Sequence, residues 1–145
     1  MDDGLAVRDA ALYFNSKLSQ TFSKAIFVRF NDTATADIYT KRLEGFRSGL
    51  ALLNFTKQAT VEEVVLSAST PIDSTSLNNA LDGCSFELVL VGSASEKLVE
   101  KTSLAVKQKG CDASTLVGTF GTSVPIHKSV SAGKLAFAIH QQAYL

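Results

Sequence analysis

Apolar residues in this chain fall into short, nearly continuous runs, separated by polar stretches with helical spacing. The run Lys24 to Phe30 (Lys-Ala-Ile-Phe-Val-Arg-Phe) predicts a first strand. Val61 to Ala68, Phe86 to Val91, Ser114 to Phe120 and Leu135 to Ile139 predict further strands. Helical stretches alternate with them. Asp3 caps a helix to about Leu18, with Ala6, Ala10, Tyr13, Phe14 and Leu18 on its apolar face. A second helix runs from about Asp37 to Leu53, after the polar loop Asn31 to Ala36. The loop Ser69 to Asp73, with Pro71, leads to a short helix from Ser74 to Leu81, and Gly83 is its stop signal. Ser93-Ala94-Ser95-Glu96 has capping-box spacing and opens a helix that ends at Gly110. Thr122 or Ser123 opens a last helix, with Pro125 in its first turn and Gly133 at its end.

The central strands are continuously apolar rather than alternating, the mark of a parallel sheet covered on both faces. The expected fold is α/β: a three-layer, doubly wound, parallel five-stranded sheet with strand order 2-1-3-4-5. No internal repeat, linker or low-complexity segment divides it, so residues 1–145 read as one lobe. That order makes the third and fourth strands neighbours. Cys84 and Cys111 precede those strands by similar distances and so share the amino-terminal edge of the sheet. They are near enough there for a disulfide, or for two separate buried thiols; spacing leaves both open. A disulfide would favour an oxidising compartment.

Composition narrows the function classes. A chain of 145 residues buries roughly 70% of its unfolded surface as a single domain. Lys plus Arg and Asp plus Glu balance at 14 each, which argues against a nucleic-acid surface. No apolar run approaches the roughly 20 residues of a membrane span. The start, Met1-Asp2-Asp3-Gly4, is acidic and lacks the apolar core of a signal peptide. Either the chain is intracellular, or a leader was removed and it lies on the secreted, periplasmic or extracellular side. The two cysteines are too far apart for a paired-ligand motif, and only His127 and His140 could join them, so no metal is expected.

In a doubly wound sheet, ligands bind outside the carboxyl ends of the strands. The loops there are Asn31 to Ala36, Ser69 to Asp73, Gly92 to Ser95, Thr119 to Ser123 and His140 to Tyr144. All are small and polar, and none carries a phosphate-binding glycine motif. Arg42 stands out. Ile38, Phe46 and Leu50 form a stripe at four-residue spacing that should face the sheet, and Arg42 lies on it. It either leans over the strand ends to the cleft, or snorkels to solvent and pairs with a nearby carboxylate. Gln141 and Gln142 follow the last strand and could serve a polyhydroxylated ligand, or simply be a solvated strand end. His140 has no evident partner nucleophile, and Ser93 and Ser95 are most simply helix caps. Asn31-Asp32-Thr33 and Asn54-Phe55-Thr56 are glycosylation-type triplets, weak signals without a secretory route. Val91-Gly92-Ser93 lacks the aspartate of a receiver domain, and no Gly-x-Ser-x-Gly elbow is present. Without a constellation of nucleophile, base or metal, no catalysis is expected.

The last stretch, Gly133-Lys134-Leu135-Ala136-Phe137-Ala138-Ile139-His140-Gln141-Gln142-Ala143-Tyr144-Leu145, resembles the "GKL-FAIDQQPYL" segment of sugar-binding periplasmic proteins of the ribose-binding type. Arg42-Leu43-Glu44-Gly45-Phe46 is similar to that family's "R-x-x-G-F" helix, which lactose- and purine-repressor ligand domains share. Val117-Gly118-Thr119-Phe120 resembles its "VGTFD" strand. Asp3 to Ala11 resembles the helix on which its chain crosses into the second lobe. The resemblance implies the carboxyl-terminal lobe of a two-lobed protein that closes on a sugar. It implies that Arg42 and Gln141 hydrogen-bond sugar hydroxyls. This chain departs from the pattern at Gly121 and His140, where the family has aspartates, at Ser93, where it has asparagine, and at Ala143, where it has proline.

The leading expectation is therefore a solute-binding lobe that takes a small polar, sugar-like ligand together with a second lobe absent from this chain. The expected ligand-binding residues are Arg42, Gln141, Ser93, Asn31, Thr119 and His140, with no cofactor. One alternative is a free-standing interaction module whose ligand face has become a protein or homodimer contact. The other is a flavodoxin-like domain in which Thr33, Thr35 and the next helix start cradle a flavin phosphate, although that loop lacks glycine.

Overall fold

Strand β1 (Lys24–Phe30) is the axis of the sheet, paired with a parallel strand on each side. The computed structural model of the chain describes residues 24–51, 60–68, 71–93, 95–111, 115–120 and 137–139. The helix expected from Asp3 to Leu18 and the one expected after Thr122 lie outside these residues. In chain order β1 leads to α1 (Ala36–Ala51), β2 (Thr60–Leu66), α2 (Thr75–Ala80), β3 (Leu88–Val91), α3 (Glu96–Gln108), β4 (Leu116–Phe120) and β5 (Phe137–Ile139). Single 3₁₀ turns occupy Thr33–Thr35 and Asp82–Cys84. The sheet is parallel, with order β2-β1-β3-β4-β5, as the runs of apolar residues predict.

Residue parity divides the sheet into two faces. Ile26 and Val28 of β1, Val64 and Leu66 of β2, and Val89 and Val91 of β3 join one cluster with Leu77 of α2 and Leu98, Val99, Ala105 and Val106 of α3. Ala25 and Phe27 of β1 and Leu88 and Leu90 of β3 point the opposite way and are also buried. That second face belongs to α1: Arg29, in phase with Phe27, stacks its guanidinium 5.6 Å from the Tyr39 ring centre. The two-sided burial of β3 explains why all four of its residues are apolar.

The apolar stripe of α1 is not the expected one. Ile38 is 40% exposed, whereas Tyr39, Leu43, Phe46 and Leu50 are buried. Each four-residue step overshoots a full turn by about 40°, so a strict four-residue stripe rotates by about 120° between Ile38 and Leu50. Tyr39, three residues before Arg42, brings the pattern back under the helix, and Ile38 falls on its outer flank. In α3 the mixed spacing Leu98, Val99, Thr102, Ala105, Val106 keeps one buried face, and the Thr102 hydroxyl donates to the Leu98 carbonyl at 2.8 Å.

The start of α3 also differs from expectation. Ser95, not Ser93, is the N-cap, and its hydroxyl accepts from the Leu98 N–H at 3.3 Å. The residue three beyond Ser95 is Leu98, so no capping box forms and Glu96 instead occupies the first turn, where the helix dipole favours an acid. Ser93 lies one step further out, and its hydroxyl accepts from the Ser95 N–H at 3.2 Å.

At the amino-terminal edge Cys84 and Cys111 are joined by a disulfide across a 5.3 Å Cα separation. The adjacency of β3 and β4 brings them there.

Candidate functional site

The candidate site lies at the carboxyl end of β3, where the chain turns through Gly92 and Ser93 toward α3. Gly92 continues the β3 ladder by donating its N–H to the Val28 carbonyl at 2.8 Å. It has the parity of Leu88 and Leu90, so a side chain there would face α1. A Cβ at Gly92 would lie 2.3 Å from Cζ of the Phe27 ring, and Phe27 is fully buried. The aromatic ring thus fills the place where a side chain would be, and glycine is needed for close packing.

Three successive carbonyls at this strand end accept from side chains. Arg42, only 5% exposed, donates from Nη1 to the Gly92 carbonyl at 2.5 Å. Thr119 of β4, 0% exposed, directs its hydroxyl at the Ser93 carbonyl at 2.9 Å and the Val91 carbonyl at 3.3 Å. Arg42 comes from α1, on one face of the sheet. Thr119 shares the parity of Val117, which belongs to the cluster on the other face. The turn is therefore held from both sides. Burial of an arginine is costly without hydrogen bonds, and the carbonyl at the end of β3 provides one.

The structure thus brings three expected site residues, Arg42, Ser93 and Thr119, to one place. Arg42 itself is buried and reaches the carbonyl at the end of β3. Asn31 stands exposed after β1, and its N–H donates to the Leu66 carbonyl at 2.9 Å, prolonging the β1–β2 ladder. Gln141 and His140 lie outside the described residues. Sequence reasoning gave Gly92 no role of its own. The signal for it was present, a glycine directly after an all-apolar buried strand.

Elsewhere at the strand ends, Asp73 accepts from the hydroxyl of Thr75 at 2.7 Å and from its N–H at 3.0 Å. These bonds hold its carboxyl below the ordinary aspartate pKa. They form a turn that leads into α2. Among the described residues, no group of three or more His, Cys, Asp or Glu side chains is placed to hold a metal ion. Among the same residues, no helix is long and apolar enough to cross a membrane.

Comparison with solved structures defines the class of fold. No protein-family model matches the sequence, and no curated protein is significantly similar to it. A periplasmic sugar-binding protein of an ABC sugar transporter from Legionella pneumophila superposes with a TM-score of 0.67 at 14% identity, over 97% of this chain and 50% of that one. GanP, a glucose-galactose binding protein from Geobacillus stearothermophilus, does so with a TM-score of 0.63 at 13% identity, over 93% and 46%. A probable maltose operon transcriptional repressor, MalR, from Staphylococcus aureus gives 0.59 at 12% identity, over 99% and 58%. The chain has the α/β fold of one lobe of the periplasmic sugar-binding proteins and of that repressor. It spans about half the length of the structures it matches. These neighbours are binding proteins and a repressor, not enzymes.

Proposed function

We propose that this chain is a solute-binding lobe that takes a small polar, sugar-like ligand at the carboxyl ends of its strands, together with a second lobe. The observation that carries this reading is Arg42. It is a buried guanidinium, held at the end of β3 in a fold whose neighbours include sugar-binding proteins. A guanidinium is a fork of N–H donors, and polyols are bound by dense donor and acceptor sets. Gln141, His140, Ser93 and Asn31 supply further polar contacts in this proposal. The protein acts by binding and release, without catalysis. It works on the extracytoplasmic side, as the Cys84–Cys111 disulfide and the periplasmic neighbours support.

The test is thermal unfolding of the chain against a panel of monosaccharides. A ligand at a hundred times its Kd stabilises by about 2.7 kcal/mol. An upward shift with at least one sugar is expected, lost in Gln141→Ala and in Arg42→Lys. Arg42→Lys keeps the charge but not the fork of donors, so its own stability serves as the control for folding. A flat response to every sugar overturns the proposal.

A further inference from the structure

The corner opposite the candidate site has its own device. Two Gly-Cys pairs meet there: Gly83-Cys84, in the turn after α2, and Gly110-Cys111, just after α3. Both glycines have positive φ, 80° and 73°, so each cysteine follows a left-handed step of the chain. Cys84 itself sits at φ 50°, and it is the one non-glycine residue at positive φ among those described. A side chain held in that region is strained unless its surroundings enforce it. The covalent bond to Cys111 and the adjacent ion pair between Lys109 and Asp82 tie this turn to the end of α3. The two sulfurs are unequally placed: Cys111 is fully buried, whereas Cys84 is partly exposed at the edge of the core. A partly exposed cysteine in a left-handed backbone conformation is the side from which such a bond is open to attack.

We propose that the Cys84–Cys111 bond is a reducible latch, opened from the Cys84 side by a dithiol while the sheet stays folded. A thiolate of the reductant attacks Sγ of Cys84. The S–S bond breaks, and its electron pair leaves on Sγ of Cys111, which takes up a proton. The second thiol of the reductant then displaces Cys84 as a thiol and closes the reductant's own disulfide. Two electrons and two protons pass from the dithiol to the protein. The sheet does not depend on this bond for its pairing. The Glu87 N–H donates to Lys24 at 3.3 Å, the Leu116 N–H to Glu87 at 2.8 Å, and the Thr115 hydroxyl to Phe86 at 3.3 Å. Opening the latch frees the turn between α2 and β3 from the end of α3 and lets Cys84 leave its left-handed conformation. The stability of the chain then follows the redox poise of its compartment.

The test treats the oxidised chain with dithiothreitol in native buffer, quenches with an alkylating agent and counts adducts by mass spectrometry. Two alkyl groups, an unchanged far-ultraviolet circular dichroism spectrum and a melting temperature lowered by roughly 5–15 °C are expected. Glutathione, a monothiol, should leave its mixed disulfide on Cys84. The paired variant Cys84→Ser/Cys111→Ser should melt with the reduced parent and ignore dithiol. The proposal is overturned if the bond resists reduction until the chain unfolds, if glutathione is found on Cys111, or if reduction leaves the melting temperature unchanged. Loss of the sheet on reduction, or failure of the paired variant to fold, overturns it as well. None of these readouts involves a sugar, so the latch stands or falls apart from the proposed ligand.

Discussion

Replacing Gly92 with alanine adds one methyl group at the point where α1, β1 and β3 converge. The new Cβ would lie 2.3 Å from Cζ and 2.8 and 2.9 Å from the two Cε atoms of Phe27. Carbon atoms in contact sit roughly 3.5–4.0 Å apart, so ring or backbone must move by about 1 Å or more. The ring has no escape toward solvent, because Phe27 is fully buried. If the strand end moves instead, the Arg42 bond to the Gly92 carbonyl lengthens from 2.5 Å. Overpacking of this kind costs about 1–3 kcal/mol, and the closeness of three ring atoms argues for the upper half. At this chain length that lowers the melting temperature by roughly 3–10 °C. Urea unfolding of Gly92→Ala, Phe27→Leu and the double variant is the assay. The smaller leucine makes room for the methyl, so the double variant should be more stable than the sum of the singles predicts, by about 1 kcal/mol or more. A Gly92→Ala chain within about 0.5 kcal/mol of the parent, or strict additivity, would refute the packing argument.

Gly110 poses the opposite problem: a Cβ there meets nothing within 4 Å, but φ is 73°. Gly110→Ala should cost about 1 kcal/mol through the backbone alone and Gly110→Asn less, and a neutral alanine in urea unfolding would contradict this. Thr119→Val keeps the shape but removes the hydroxyl that serves the Val91 and Ser93 carbonyls, and should cost about 1–3 kcal/mol. Thr119→Ser should retain most of that stability; equal losses in the two variants would show that the hydroxyl is not what matters. Asp73 has a folded pKa below its ordinary value, held there first by the Thr75 hydroxyl and then by its N–H. Its stabilising contribution is therefore present above the ordinary aspartate pKa and is lost as pH falls through the folded one. Asp73→Asn should flatten the acid limb of the stability curve below pH about 4, and an unchanged limb would rule out this linkage.

The fold is legible because β1 and β3 are blocks of mostly apolar residues bounded by polar turns, although β2 carries Glu62 and Glu63 at its centre. Lys24 to Phe30 reads as a strand at the same two ends the structure gives it. Strand order follows from right-handed crossovers, and it places the two cysteines at one edge of the sheet, where spacing alone leaves both a disulfide and two separate thiols open. Helix details were less legible. A four-residue count through Ile38 ignores the drift of the helix, and the buried Tyr39, which meets Arg29, lies on the true face. Ser93 and Ser95 are equivalent in sequence as caps. The structure selects Ser95, whose hydroxyl accepts from the Leu98 N–H. Arg42 could be singled out as anomalous, but its acceptor could not be named. The Gly92 carbonyl is 50 residues away in the chain, and a main-chain acceptor leaves no trace in side-chain identity.

The hydrogen bonds of the Gly92 turn also redistribute the roles within the candidate site. A threonine hydroxyl has one proton. That of Thr119 is directed at two backbone carbonyls and sits at zero exposure, so it cannot also donate to a ligand without releasing the turn. The Thr119 hydroxyl thus ties the end of β4 to the turn that carries Ser93. Ser93 in turn accepts from the Ser95 N–H, and its hydroxyl proton is left to be directed elsewhere. Arg42 differs from both in kind, because its guanidinium is a planar fork of donors rather than a single hydroxyl. Loss of the Thr119 hydroxyl should then weaken binding in proportion to the movement of the turn, whereas loss of the Arg42 fork should remove contacts outright.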